Sequence, residues 1–266
     1  MISYDELIAR PIPRATRRVK YGDGPLHFGD LWLPTDGRGK RATIVFIHGG
    51  CWEAEYSLDH AGYAADALAR EGYVVWVPEY RRLGDDGGGW PGTFDDIAAA
   101  VDFVGSLAEL ESSIDVTRVI LSGHSAGGQL ALWAASRRER MQSAVIGVVT
   151  LAAVTDLATY SAGTGDCNAS ATRLLGGTPS QVPDRYRNVS PIELLPLGLP
   201  ITLVHGELDS IVPIASMNSF GARANAAGDR ATVTAITGAG HFEVIAPWTS
   251  AWPTVVGAFR GIGPPR

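Results

Sequence analysis

The sequence predicts an α/β protein in which a mainly parallel central sheet is flanked by helices. Two observations predict this class: apolar, β-branched runs alternate with helical stretches, and residues 42–50 form a continuous β-branched run of the kind found in buried strands. At 266 residues, with 45% hydrophobic and 19% charged residues, the chain can bury one large core. We therefore expect a single domain over 1–266.

The elements can be assigned in order from periodicity and from start and stop residues. Residues 26–34 alternate as an edge strand does, and the basic cluster at 14–20 before them is expected to be a solvated arm. The other predicted elements are strand 42–50, helix 61–71, strand 73–78, helix 94–110 with Thr93 as its N-cap, strand 119–121, helix 126–135, strand 145–151, strand 201–205, helix 213–227, strand 231–236 and a closing helix. The stretch 152–199 breaks this alternation and is rich in Gly, Ser, Pro and Thr, so we predict a short lid or pocket wall there.

Composition excludes several classes of function. A net charge of −6 gives no basic surface for nucleic acid. The sequence also contains no run of 18 uncharged apolar residues, which a membrane-spanning helix would need. The first residues lack the apolar stretch of a signal peptide, which predicts a cytoplasmic protein. The histidines and cysteines have no metal-ligand spacing, so neither a metal nor a cofactor is predicted. A disulfide bond between Cys51 and Cys167 is an alternative, but two free thiols are expected. The sequence does not indicate the oligomeric state.

The stretch RVILSGHSAGGQLAL at residues 118–132 places a serine between a buried strand and a helix. Gly123 and Gly127 lack a Cβ, so the backbone can turn sharply and the two elements can approach closely. Such a turn presents Ser125 at its tip as a nucleophile.

Two further strand ends carry candidate partners for this serine. Because the carboxyl ends of parallel strands meet at one edge of a sheet, His241 after the last strand can act as general base. Asp209, after the strand at 201–205, is the preferred orienting acid, with Glu207 and Asp156 as alternatives. The order Ser, Asp, His is the one that this kind of sheet requires.

The motif IHGGCW after the strand at 42–50 suggests a binding site for an oxyanion. Backbone N–H groups of Gly49 and Gly50, together with that of Ala126, can stabilise the developing negative charge, and Cys51 is a further possible donor. Cys51 is also an alternative nucleophile. The three other histidines near strand ends are expected to be structural: His48, His124 and His205.

Together IHGGCW, GHSAGG, HGELDSIVP and GAGH resemble the motifs of the α/β-hydrolase superfamily, in its esterase and kynurenine formamidase (arylformamidase) branch. The similarity runs from about residue 29 to 259 and includes EYRR at 79–82, WPGTFDDI at 90–97 and the stretch from 174. It implies the α/β-hydrolase fold, a catalytic triad of Ser125, Asp209 and His241, and an oxyanion hole. Cys51, where animal formamidases have an aromatic residue, and Gly128, where they have alanine, depart from that branch.

These residues predict a serine hydrolase that cleaves a small-molecule ester or an N-formyl aryl amide through an acyl-enzyme. Aromatic residues close in sequence to the motifs suggest a substrate pocket that includes Cys51, Trp52, Trp90 and Phe242. A general carboxylesterase, including a feruloyl-esterase-like enzyme, is an alternative. A binding protein that keeps the fold without turnover is another.

Overall fold

The computed structural model describes residues 1–35 and 39–266. Over these residues eight strands form one sheet: β1 Arg17–Lys20, β2 Phe28–Trp32, β3 Arg41–Ile47, β4 Val74–Pro78, β5 Ile114–His124, β6 Val145–Leu151, β7 Pro200–Gly206 and β8 Arg230–Ile236. Their spatial order is β1-β2-β4-β3-β5-β6-β7-β8. The pairs β1–β2 and β2–β4 are antiparallel, and all the other pairs are parallel. The predicted mainly parallel α/β architecture is confirmed.

Helices cover both faces of this sheet. In the described ranges they are α1 Tyr4–Ile8, α2 Gly62–Arg70, α3 Gly92–Asp102, α4 Val104–Leu110, α5 Ala126–Ser136, α6 Leu157–Ser161, α7 Asp166–Leu175, α8 Pro183–Val189, α9 Ile214–Ala226 and α10 Trp252–Ile262. Successive side chains of a strand point to opposite faces. Val45 and Ile47 of β3 accordingly join one apolar cluster, while Ile44 and Phe46 join the other. The sheet therefore separates two cores.

The first strand corrects two predictions. Residues 14–20 are not a solvated arm, because Arg17–Lys20 pairs with β2 and forms the edge of the sheet. The strand predicted as the edge is therefore the second one. Arg18 Nε donates to Asp30 Oδ1 across the pair over 2.7 Å, which explains how a charged stretch is held in a strand at the surface.

The helix predicted over 94–110 is also different in the structure. It starts earlier, at Gly92, and divides at Phe103 into α3 and α4. Thr93 lies inside α3 instead of capping it: its hydroxyl accepts from the Gly89 N–H and donates to the Arg81 carbonyl. The hydroxyl thus ties the preceding loop to the helix.

The stretch 152–199 folds into α6, α7 and α8, and one disulfide connects it to the rest of the chain. The expectation of two free thiols is wrong, since Cys51 after β3 is bonded to Cys167 in α7. Their Cα atoms are 5.0 Å apart, although 116 residues separate them in sequence. The bond holds α7 over the carboxyl end of β3, and that this stretch acts as a lid stays a prediction.

Candidate active site

Ser125 lies between β5 and α5 with a backbone conformation that is rare for a residue with a side chain. Its φ of 55° and ψ of −120° are held by hydrogen bonds on both sides. The Ser125 N–H donates to the Leu151 carbonyl, and the Ser125 carbonyl accepts from the Gly128 N–H. Such a conformation costs about 1–3 kcal/mol and persists only where the surrounding structure enforces it.

The glycines around this serine are required by close packing. A Cβ on Gly123 would lie 2.3 Å from the Gly127 carbonyl oxygen, and one on Gly127 would lie 2.1 Å from that of Ile47. A Cβ on Gly128 would meet the Ala153 side chain at 2.5 Å. Any side chain at these positions would force β3, β5 and α5 apart, so the serine turn depends on all three glycines.

Backbone strain is concentrated at this edge of the sheet. Within residues 1–35 and 39–266, the non-glycine residues with positive φ are Cys51, Trp52, Ser125 and Ala152. They follow β3, β5 and β6, which are neighbouring strands. Strained conformations of this kind cluster at functional sites, so their position marks this edge independently of any motif.

His241 and Asp209 form a close pair at the same edge. Asp209 Oδ2 lies 2.7 Å from His241 Nδ1, and Asp209 Oδ1 accepts from the N–H groups of Ile211 and Val212. Burial alone would raise the pKa of Asp209, but hydrogen bonds from His205 and His241 and from the backbone lower it well below its usual range. The carboxylate is therefore ionised and fixes the proton of His241 on Nδ1, so Nε2 is free to accept one.

The structure places the two alternative acids elsewhere. Glu207 is exposed. Asp156 caps α6, where its carboxylate accepts from the N–H and the hydroxyl of Thr159. Among the three candidates, Asp209 is the one in contact with His241.

The loop after β3 approaches the serine turn from the opposite side. A Cβ on Gly49 would lie 2.8 Å from the His124 carbonyl oxygen and 3.2 Å from Ser125 Cβ. Ala126 is the first residue of α5. Within the serine turn, the first N–H that forms a hydrogen bond to a preceding carbonyl is that of Gly128, and the Ala126 N–H lies before it in the chain. The backbone of Gly49 thus lies close to Ser125, and Gly50 lines the same pocket as Ser125. That the N–H groups of Gly49, Gly50 and Ala126 form an oxyanion hole stays a prediction.

Glu79, at the end of β4, holds this loop in place. His48 Nε2 lies 2.9 Å from Glu79 Oε1, and His48 Nδ1 lies 2.9 Å from the Gly49 carbonyl oxygen. Glu79 also lies 3.1 Å from Arg82 and accepts from the Leu58 N–H. Burial would raise the pKa of Glu79, but His48 and Arg82 lower it, so a buried carboxylate orients the loop. In the sequence, Glu79 stands out only as part of the stretch EYRR, and no role is predicted for it.

One pocket opens directly onto Ser125. It has a volume of about 200 Å³, below the roughly 300–1,000 Å³ of sites for drug-sized ligands. Its lining residues are Tyr4, Gly50, Cys51, Tyr56, His60, His124, Ser125, Cys167, Ile211, His241 and Phe242. The pocket is therefore small, largely aromatic and bounded on one side by the disulfide.

The lining contains no lysine, arginine, aspartate or glutamate over the described residues. Burial, reinforced by His48, lowers the pKa of His60 to about 3, and burial together with His241 lowers that of His124 well below its usual range. Both rings are uncharged at neutral pH. Burial also raises the pKa values of Tyr4 and Tyr56, and neighbouring carboxylates raise them further: Asp5, Glu53, Glu55, Asp59 and Asp166. The interior is neutral, and the carboxylates around it are negative.

The predicted pocket residues divide into two pairs. Cys51, as half of the disulfide, and Phe242 line the pocket. Trp52 does not: it is fully buried in the core, where its Nε1 donates to Gln129 Oε1 over 3.1 Å. Trp90 is partly buried and packs against the core, 5.5 Å from Phe94 between ring centroids, and it does not line the pocket either. Closeness in sequence to a motif was a poor guide here, since the positive φ of Trp52 accompanies a turn that leaves its ring inside the protein.

Several residues of the site were missed by the sequence analysis. Tyr4, Tyr56, His60 and Ile211 line the pocket but belong to no motif. Cys167 is predicted from the sequence to be a free thiol. The alternative, a bridge between Cys51 and Cys167, is the one sequence observation that points to Cys167 as part of the pocket.

The part of the chain that the structure describes contains neither a metal-binding cluster nor a membrane-spanning helix. No group of three histidine, cysteine or acidic side chains is placed to hold a metal ion. None of the described helices combines the length and the apolar character needed to span a membrane.

Comparisons with known proteins identify the family and the fold of the chain. The BD-FAE family model matches residues 29–223, nearly three quarters of the chain. Esterase LipC of Mycobacterium tuberculosis is 27% identical over 85% of this chain and 59% of its own, so the chain spans little more than half of that relative. Kynurenine formamidase of Danio rerio is 25% identical over 46% of this chain and 39% of its own. The crystal structure of Esterase B from Lactobacillus rhamnosis has a TM-score of 0.80 at 20% identity, covering 96% of this chain and 88% of that one. The likeness of fold confirms the α/β-hydrolase architecture.

Proposed function

Because the chain belongs to the BD-FAE family, we propose that it is a serine hydrolase that cleaves small, uncharged carboxylic esters. The observation that carries the proposal is the 2.7 Å pair of Asp209 and His241, with His241 lining the same pocket as Ser125. LipC and Esterase B, which bear the name esterase, support the reaction class.

The proposed reaction proceeds through an acyl-enzyme. Ser125 Oγ attacks the ester carbonyl while His241 Nε2 takes its proton, and Asp209 stabilises the imidazolium. The N–H of Ala126 and those of the loop at Gly49 and Gly50 stabilise the oxyanion. His241 then gives the proton to the leaving alcohol, and water attacks the acyl-enzyme by the same route to release the acid.

The charge of the pocket favours an ester over the formamide. N-formylkynurenine carries a carboxylate and an ammonium group at neutral pH. The lining offers neither a cation nor an anion to pair with them, and burying an unpaired charge is unfavourable. The likeness to kynurenine formamidase over 46% of the chain keeps an N-formyl aryl amide as the second candidate.

The experiment compares kcat/KM for p-nitrophenyl acetate, N-formylkynurenine and methyl ferulate, with Ser125→Ala as the blank for all three. Hydrolysis of the acetate alone supports the small-ester proposal. A larger value for the formamide would replace it with a formamidase, and a larger value for methyl ferulate would favour a feruloyl-esterase-like enzyme. If none of the three substrates is hydrolysed and a fluorophosphonate does not label Ser125, the protein is a binding protein without turnover.

The compartment stays a prediction. A disulfide such as Cys51–Cys167 is typical of oxidising compartments and does not favour the predicted cytoplasm. Growth under oxidising and reducing conditions, followed by thiol titration of the purified protein, tests which state the chain reaches.

A further inference from the structure

The start of the chain lies across the pocket of Ser125. Tyr4, the first residue of α1, is half-buried and lines that pocket. Its ring makes an edge contact with Tyr56 at 5.1 Å between centroids and lies 5.8 Å from His60 and 5.9 Å from Phe242. Each of these neighbours also lines the pocket. Tyr4 therefore completes an aromatic wall whose other members come from distant parts of the chain.

Three anchors hold this segment in place. The buried carboxylate of Glu243 accepts from the Ile2 N–H over 2.6 Å, and its other oxygen accepts from the Gly240 N–H, next to His241. Leu7 is fully buried in the apolar core. Beyond α1, the Arg10 carbonyl accepts from the Tyr63 hydroxyl over 2.6 Å.

A capping box shapes the segment between these anchors. The Ser3 hydroxyl accepts from the Glu6 N–H, and the Glu6 carboxylate accepts from the Ser3 N–H. This closes the first turn of α1 and fixes the direction of Tyr4, the residue that follows the cap. The ring is thus positioned by local hydrogen bonds and by long-range anchors together.

We propose that Tyr4 sets the upper size of the substrate group that enters this pocket on one side of the scissile bond. The inference rests on the proposed ester hydrolysis and narrows it to short, uncharged groups. With about 200 Å³ available, the pocket holds about seven water molecules at roughly 30 Å³ each. A short acyl or alkoxy group fits such a volume, and a longer one meets the Tyr4 ring.

The test measures kcat/KM for two ester series in wild type, Tyr4→Ala and Tyr4→Phe. One series varies the acyl chain of p-nitrophenyl esters from acetate to octanoate, and the other varies the alcohol of acetate esters. In Tyr4→Ala we expect the long-to-short ratio of kcat/KM to rise at least tenfold in one series. Tyr4→Phe keeps the ring and should keep the wild-type ratio in both series. Ile8→Ala, on the same helix but outside the pocket lining, should do so as well.

The outcomes separate this inference from the proposed function. If wild type hydrolyses neither series, the proposed ester hydrolysis is wrong. If wild type is active and Tyr4→Ala changes all chain lengths by the same factor in both series, the ring has only a structural role and the inference is overturned. Should Tyr4→Ala fail to fold, as judged by its thermal transition, Tyr4→Leu makes the same comparison with a smaller loss of packing.

Discussion

At the scale of single residues, Asp209 connects the geometry of the site to its chemistry. One of its oxygens is held by two backbone N–H groups, and the other lies 2.7 Å from His241 Nδ1 and 3.1 Å from His205 Nε2. This arrangement leaves the carboxylate no freedom to turn. The orientation of the His241 ring depends on it directly.

We predict that Asp209→Asn lowers kcat for the preferred ester by about 10⁴-fold, because the amide stabilises the wrong tautomer of His241. Steady-state kinetics measure the loss. Glu207→Gln is the matched control: this carboxylate is two residues away and exposed, so its neutralisation should leave kcat unchanged. Equal effects of the two variants would show that Asp209 does not act through His241.

The glycine of the serine turn gives a second prediction at this scale. Gly127→Ala places a Cβ 2.1 Å from the Ile47 carbonyl oxygen and 2.4 Å from that of His48. Because these are backbone atoms of the neighbouring strand end, they can move only if β3 moves. We expect a loss of about 3 kcal/mol or more in the free energy of unfolding, measured by urea denaturation.

Gly257→Ala in α10 is the control for that substitution. Its new Cβ would have no neighbour within 4 Å among the described residues. Alanine is favoured over glycine in a helix by about 1 kcal/mol, so this variant should be as stable as wild type or more stable. A similar loss in both variants would mean that packing at the serine turn is not the cause.

At the scale of elements, the disulfide joins two segments that carry different parts of the site. Cys51 directly follows the glycines of the loop after β3, and Cys167 belongs to α7. Both half-cystines line the pocket. The bond therefore fixes α7 relative to the backbone that surrounds Ser125.

We predict that the double variant Cys51→Ser, Cys167→Ser is less stable by about 2–4 kcal/mol, as is typical when a native disulfide closing a long loop is lost. Amide hydrogen exchange should accelerate in α7 more than in α2, which the bond does not touch. Addition of a reductant should likewise accelerate amide hydrogen exchange in α7 of wild type, and it should leave exchange in the double variant unchanged. Uniform exchange in α7 and α2 would contradict a local role of the bond.

The elements also show how far sequence reasoning could reach. The inner strands of the sheet, such as β3, β4 and β6, were predictable because their apolar runs are buried. For β6 the predicted range, 145–151, matches the observed one at both ends. The edge strand β1 was not, since an edge needs no apolar pattern and its basic residues resemble a solvated segment. The serine turn and Asp209 could be found because they follow strands with buried ends, β5 and β7, whereas His241 follows the partly exposed edge strand β8.

Pocket walls could not be found in this way. They are built by side chains from loops and from α1, whose positions depend on tertiary contacts such as that of Glu243 with the Ile2 N–H. Trp52 shows the opposite error, because a large ring beside a motif was predicted at the site and lies in the core. Candidate catalytic residues at strand ends can be recognised from short stretches of sequence. The shape of the pocket cannot, because it depends on contacts between residues that are distant in sequence.

At the scale of the whole molecule, buried neutral histidines link the stability of the protein to pH. His60 is almost fully buried, and its pKa falls from 6.5 to about 3 on folding, chiefly because burial disfavours the charged ring. Between these values the unfolded chain binds a proton at His60 that the folded protein excludes. The contribution to stability is therefore complete above pH 6.5 and decreases as the pH falls toward 3.

We predict that His60→Gln reduces this acid sensitivity, since glutamine does not titrate. Between pH 4 and 6 the free energy of unfolding of wild type should fall more steeply than that of the variant, by up to about 1.4 kcal/mol per pH unit for one proton. Urea denaturation at half-unit steps of pH measures both slopes. Above pH 7 the free energies of unfolding of wild type and variant should depend on pH in the same way, even where the substitution itself lowers stability. This comparison separates the effect of His60 titration from the effect of altered packing. Equal slopes below pH 6 would mean that folding leaves the pKa of His60 unchanged, and the pocket of Ser125 would then gain a positive charge as the pH falls through 6.5.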